Sequence, residues 1–382
     1  MTYLDYAASA PIDPRVLDVI TSVFLDYPGN ASSRTHSFGD DCRDIVENSR
    51  KVISALLGVE SDELIFTSGA TEADNLAIMG LLDYGIQTGK RHIVSTAIEH
   101  KAVINSLNKA RSLGFEIDFV SPDTSGSIHV EDVMRVIQSD TLLVSMMHVN
   151  NETGVVQPVE AVGSLLAEMD EPPFFHIDAA QSAGKLVEEI KSIQYDLLAV
   201  SAHKMYGPQG VGALVARRRK LRRPPLTAIL FGGNQENGLR SGTLPVALIA
   251  GFGQAARLCK DEWRTDNNNA KILRKSIEVL LNDSGVEYAI NGTGVTYPGI
   301  LNVRFPGVSS EALMIAGKSN FAISNGSACS SRSYSPSYVL KAMGLSDVEA
   351  LESVRVSWGR GSVSDNVLSA VSKMISIVKS FQ

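Results

Sequence analysis

The run Leu197-Leu198-Ala199-Val200-Ser201-Ala202-His203-Lys204-Met205-Tyr206-Gly207-Pro208 decides how this chain folds. It opens on apolar residues without alternation, the texture of a parallel strand covered on both faces. Polar and reactive residues follow at once, and Gly207-Pro208 turns the chain. The same texture returns at residues 64–67, 92–95, 142–149, 174–177 and 212–216, with helical patterns interleaved. Near the start, Val16, Val19, Ile20, Val23 and Phe24 form a helical stripe between Pro14 and the stop Pro28-Gly29-Asn30. The alternation predicts an α/β domain, a mostly parallel sheet flanked by helices.

Further out, the texture changes beyond Cys259. Residues 263–269 are polar, 270–281 read as a helix, 291–298 are rich in turns, and 300–305 read as a strand. These features predict a large domain over residues 13–259. A smaller α+β domain is expected from residues 260–382 with the arm 1–12. No internal repeat or low-complexity tract interrupts the chain.

The composition agrees. A chain of 382 residues, 44% hydrophobic and 20% charged, is long enough for two or three domains and is neither disordered nor collagen-like. No apolar run approaches the roughly 18 residues of a membrane span, and the first residues lack a secretory signal. Cys42, Cys259 and Cys329 are odd in number and scattered, so no disulfide framework or metal cluster is expected, and a reducing cytoplasm fits best. A net charge of −7 argues against a surface that wraps nucleic acid.

Ligands in open α/β sheets sit beyond the carboxyl ends of the strands, and the reactive residues gather at such ends. Thr67-Ser68-Gly69-Ala70-Thr71-Glu72 leads into a helix, and free N–H groups with hydroxyls there form a phosphate site. The spacing of Thr71 and Asp74 also fits a capping box, the preferred reading of that pair alone. Asp178 closes an apolar strand, where a carboxylate needs a cationic partner or serves as an N-cap. Lys204 is either a desolvated, nucleophilic amine or a lysine that snorkels to water. Together, a reactive lysine, an acid and a phosphate cradle are what pyridoxal phosphate requires.

The set resembles the fold-type I pyridoxal-phosphate enzymes, and within them the cysteine desulfurases of the nitrogen-fixation and iron–sulfur-cluster type. The likeness rests on motifs in the family's order. They are Leu4-Asp5-Tyr6-Ala7-Ala8, residues 67–75, Glu99-His100-Lys101-Ala102-Val103, Met147-His148-Val149-Asn150-Asn151-Glu152, residues 176–182, residues 203–207, Arg240-Ser241-Gly242-Thr243, Gly326-Ser327-Ala328-Cys329 and Arg355. It implies that Lys204 holds the cofactor covalently and moves the substrate's Cα proton. It further implies that His100 stacks on the ring and acts in acid–base steps. Asp178 would keep the ring nitrogen protonated, and Gln181 would bond the phenolic oxygen. Thr71, Ser201, His203 and the backbone at Ala70 would hold the phosphate. Asn151 and Arg355 would grip the substrate carboxylate. Thr243 would reach the phosphate in the neighbouring subunit of a homodimer.

Cys329 separates a desulfurase from an aminotransferase. It lies in a small, polar segment, about residues 325–336, expected to be a mobile loop, and Arg332 would favour its thiolate. Cys42 and Cys259 read as buried and inert. By the resemblance, L-cysteine becomes L-alanine while its sulfur passes to Cys329 as a persulfide, then to an acceptor or scaffold protein. The acceptor would serve iron–sulfur cluster assembly or a specialised pathway such as DNA phosphorothioation or tRNA thiolation. Cys329 would also touch a nascent cluster transiently. The alternative is a selenocysteine lyase or another β-lyase that needs no persulfide. Departures from the commonest pattern fall at Ala180, Met205 and residues 231–237. The basic run Arg217-Arg218-Arg219-Lys220-Leu221-Arg222-Arg223 reads as a solvated loop edge, with docking of an acidic acceptor as the alternative. Neither membrane contact nor direct binding of nucleic acid is expected.

Overall fold

The computed structural model describes residues 1–219, 222–325 and 335–382. Cys329, Arg332, Lys220 and Leu221 lie outside them, as does most of the segment expected to be a mobile loop. The strands in chain order are β1 (Thr2–Tyr3), β2 (Leu64–Thr67), β3 (His92–Thr96), β4 (Glu116–Val120), β5 (Thr141–Met147), β6 (Phe174–Asp178), β7 (Leu197–Ser201), β8 (Gly212–Ala216), β9 (Ala289–Asn291), β10 (Ile300–Arg304), β11 (Phe321–Ala322) and β12 (Ser353–Ser357).

Seven of them form one sheet in the order β2-β8-β7-β6-β5-β3-β4. Strand β8 runs antiparallel to β2 and β7, and the other pairs are parallel. The other six therefore point one way, and their carboxyl ends share one edge. Every residue of β5, β7 and β8 is buried, the physical reason for their unbroken apolar runs. Side chains alternate between two cores: Val144, Phe175 and Leu198 join the core that also holds residues of the helices Ser37–Leu57 and Val246–Ser284, while Leu143, Leu197 and Leu214 join the core that holds the helix Ala70–Met79. Each such burial is worth about 1.5–3 kcal/mol. The α/β reading holds. The reading of the runs missed β4, whose polar Glu116 and Asp118 alternate with apolar residues at the sheet's edge.

A second, antiparallel sheet has the order β12-β10-β9. It packs with the helix Ser364–Phe381 around Leu301, Val303, Val356 and Val371. The start of the N-terminal arm joins this unit, since β1 pairs with β11 and Leu4 enters the same core, while Tyr6 and Ala10 enter the large one. The polar stretch 263–269 does not interrupt the secondary structure. It lies inside one helix, Val246–Ser284, which passes from the large core at Cys259 to the small one at Ala270. With no Gly or Pro in the stretch, its polar residues simply face outward while Asn267 donates to the carbonyl of Lys185 (2.8 Å).

Most of the described arginines of the basic run are engaged within the chain. Arg218 and Arg223 pair with Asp62, Arg219 pairs with Asp196, and Arg217 bonds the carbonyl of Ile193 and lies over the Tyr195 ring. Cys42 and Cys259 are fully buried, and burial pushes the Cys259 thiol up to about 12.

Candidate active site

A cavity of about 370 Å³ opens at the carboxyl edge of the large sheet, within the range of small-molecule sites. Ala70, Thr71, His100, Asn151, Asp178, Gln181, Ser201, His203, Lys204 and Arg355 all line it. Thr243 does not: it is exposed and outside the cavity of its own chain.

One end is built by the loop after β2. The helix Ala70–Met79 begins at Gly69 without a side-chain cap, so the N–H groups of its first turn face the cavity with their partial positive charge. Gly212 makes this possible, because a Cβ there would fall 2.6 Å from the Cα of Gly69. The expected capping box does not form. Asp74 turns inward, fully buried, with Oδ1 3.4 Å from His176 Nε2, and burial raises its carboxyl well above the usual range. The carboxylate that fixes the loop is Glu72, which accepts the N–H of Ser68 (2.8 Å) and pairs with Arg240 (2.8 Å). Ser201, and His203 with its Nδ1 3.2 Å from Ser9 Oγ, complete this end. Burial, then the charges of Lys204 and Lys185, push His203 down to about 4, so its ring is neutral.

Asp178 lies at the end of β6, 5% exposed, with Oδ1 accepting the N–H of Ala180 at 2.9 Å. It is both a turn cap and a cavity group. Burial raises its carboxyl, and His100, the Ala180 N–H and Lys204 pull it back. His100 caps the helix Lys101–Ser112 by accepting the Ala102 N–H on Nδ1 (3.2 Å), which leaves Nε2 as the protonated nitrogen. Burial keeps that ring neutral.

Lys204 follows β7 and points inward, donating to the carbonyls of Ala7 (2.5 Å) and Ala8 (2.7 Å). It is half-buried and turned into the cavity. The turn beyond it is fixed by Tyr206, whose φ of 62° is held on three sides. Its carbonyl accepts the Asp13 N–H (2.9 Å), its hydroxyl accepts the Arg360 N–H (2.9 Å), and the Arg360 guanidinium lies over the ring. Gln181 donates through Nε2 to the Ala7 carbonyl (2.8 Å).

Arg355, from β12, donates through Nη1 to the Asn151 carbonyl (2.8 Å) and through Nη2 to Asp5 (2.7 Å). Its Nε has no partner among the described residues. Sequence reading gave Asp5 and Glu72 no role. Each acts through a partner more than 160 positions away, which leaves no local signature.

These residues fit pyridoxal phosphate. A helix N-terminus with hydroxyls suits a dianion, and the same cavity holds a buried carboxylate that would meet a ring nitrogen and an inward amine. Among the described residues no cluster of three His, Cys, Asp or Glu side chains suits a metal ion, and no helix is long and apolar enough to cross a membrane.

Comparison with known proteins agrees with this geometry. The model of the aminotransferase class-V family matches residues 2–369. A mitosomal cysteine desulfurase of Trachipleistophora hominis is 43% identical over 99% of this chain and 86% of its own. The cysteine desulfurase IscS of Shewanella sediminis is 43% identical over 97% and 90%. Among solved structures, DndA from Streptomyces lividans superposes with a TM-score of 0.81 at 43% identity, covering 94% of this chain and 99% of its own. SspA, solved in complex with cysteine, gives 0.82 at 34% identity, covering 95% and 100%.

Proposed function

The chain belongs to the class-V aminotransferase family and, within it, to the pyridoxal-phosphate-dependent cysteine desulfurases, and on that premise we propose that it converts L-cysteine to L-alanine and passes the sulfur, as a persulfide on Cys329, to an acceptor protein. The observation that carries this reading is the convergence of Lys204, Asp178, His100 and the first turn of the helix Ala70–Met79 on one cavity.

When bound, pyridoxal phosphate supplies a ring that accepts electrons from bonds breaking in the substrate. Thr71, Ser201, His203 and the N–H groups at Ala70 and Thr71 would hold its phosphate, and Gln181 would meet the phenolic oxygen. Asp178 would keep a proton on the ring nitrogen. Lys204 would anchor the cofactor and take the Cα proton of the substrate. The neutral His100 ring would lie against the cofactor and offer its Nε2 proton. Asn151 and Arg355 hold the substrate carboxylate, with Arg355 braced from behind by Asp5. The Cys329 thiolate would attack the substrate sulfur; the carbon–sulfur bond breaks with its electron pair going to Cβ, which takes up a proton to become the methyl group of alanine, and the sulfur stays on Cys329 as a persulfide.

Thr243 serves the neighbouring subunit of a homodimer. Its exposure and the salt bridge from Arg240 to Glu72 at the phosphate loop support that role.

The variant Cys329→Ser tests the persulfide. It should retain the cofactor's visible absorbance and lose at least about a hundredfold in alanine formation from L-cysteine. Wild-type turnover in that variant would make the enzyme a β-lyase without a persulfide.

A further inference from the structure

A second lysine lies buried beside this site, and nothing in the reaction above uses it. Lys185 follows Gly184, whose φ of +73° turns the chain inward, and a Cβ on Gly184 would fall 2.9 Å from Cys259 Sγ and 3.0 Å from Met205 Cε. The turn is thus pressed between the long helix and the Lys204 segment, and Lys185 cannot reach water: it is 8% exposed. Its Nζ lies 3.4 Å from Gln181 Oε1 and 5.4 Å from the centre of the Tyr297 ring. Both lysines also border one closed hole of about 10 Å³, room for at most a single water.

The connections form a chain. Lys185 Nζ donates to Gln181 Oε1, Gln181 Nε2 donates to the Ala7 carbonyl, and Lys204 Nζ donates to the same carbonyl. An ammonium has no acceptor, so Lys185 decides which end of the Gln181 amide is oxygen and which is free to donate. The titratable groups around it are Tyr6 from the arm, Lys204 and Tyr206 from the turn after β7, Cys259 from the long helix and Tyr297 ahead of β10, with His203 also sensing its charge. Among the described residues lining this hole none is a carboxylate. Two amines held this near each other each make the other harder to protonate.

We propose that Lys185 is a positioning residue of the desulfurase site, holding the Gln181 amide with its nitrogen toward the cofactor pocket and lending positive charge that keeps the Lys204 nitrogen easier to deprotonate. Burial, and then Lys204, push the Lys185 amine down to about 7, so its charge changes in the working range. This inference rests on the cofactor reading above.

The test compares the holoenzyme with Lys185→Met, Lys185→Gln and Lys185→Arg, following the pH titration of the visible absorbance of the Lys204-bound cofactor. Removing the charge should raise the titration midpoint by about one pH unit, and Lys185→Arg should stay near the wild type. Uptake of pyridoxal phosphate by the cofactor-free protein at pH 7 should slow about tenfold in the two uncharged variants, because less of Lys204 is the neutral, attacking amine. If Lys185→Met fails to fold, as judged by circular dichroism, the polar Lys185→Gln carries the comparison. An unchanged midpoint in a folded, uncharged variant overturns the proposal while leaving the cofactor reading intact. A wild type that never takes up pyridoxal phosphate overturns both.

Discussion

The molecule buries positive charge in two places and treats it differently. Under the sheet's first strand, Arg50 is matched completely: its Nη atoms meet both oxygens of Glu236 at 2.7 and 2.8 Å, one also bonds the Leu64 carbonyl, and Glu236 accepts the Phe66 N–H. Burial works against the arginine's charge and Glu236 more than restores it. At the active site, Lys185 is as buried as Arg50 and Lys204 is half-buried, with amide and carbonyl oxygens among their acceptors. A paired buried charge is inert and locks elements together, here the helix Ser37–Leu57, β2 and residues 231–237. A buried amine set beside a second amine is instead pushed toward losing its proton, by burial and then by its neighbour, as Lys185 is.

The sharpest way to break this contrast is Lys204→Ala. It should abolish alanine formation by a factor of about 10³ or more, with stability little changed, as judged by turnover assay and thermal unfolding. At the other site the effect should fall on stability instead. Glu236→Ala strands a buried guanidinium and a strand N–H, at a cost of about 3–5 kcal/mol in denaturant unfolding. Arg50→Met combined with Glu236→Leu should recover much of that loss, because the pair is removed together.

A smaller effect separates a third kind of buried group. Glu99 sits beneath His100, where Thr96 Oγ1 and the Met147 N–H both bond its Oε1, and burial raises its carboxyl to about 8. A carboxyl raised above its unfolded value contributes stability that is complete below about pH 4.5 and lost as pH rises through 8. Between pH 7 and 9 the wild type should therefore lose about 1.4 kcal/mol more than Glu99→Gln, whose Oε1 keeps both bonds. Parallel pH dependences of the two proteins would count against it.

Much of this was legible in the sequence. Fully covered strands have to be apolar throughout, so five central strands of the large sheet and β2 announce themselves, and reactive residues at their ends mark one edge. Asp178, Lys204, His100 and Arg355, read as one set, all arrive at the cavity. What stayed hidden has physical causes. Strand β4 covers only an edge and alternates like a loop. The long helix Val246–Ser284 runs through a polar segment because solvent faces one side of it there. Asp5 on Arg355, Glu72 on Arg240 and Glu236 on Arg50 are pairs between distant residues, and only the folded chain brings them together. Lys185 looks like any lysine after a glycine until its burial is seen.

In the proposed reaction, sulfur reaches Cys329 through the action of Lys204. Mass spectrometry of proteolytic fragments after brief exposure of the holoenzyme to L-cysteine tests this directly. The fragment containing Cys329 should gain one sulfur atom in the wild type and none in Lys204→Ala, while the fragments of Cys42 and Cys259 stay unmodified. Alanine formed with no sulfur gained at Cys329, or sulfur gained there without Lys204, would contradict it.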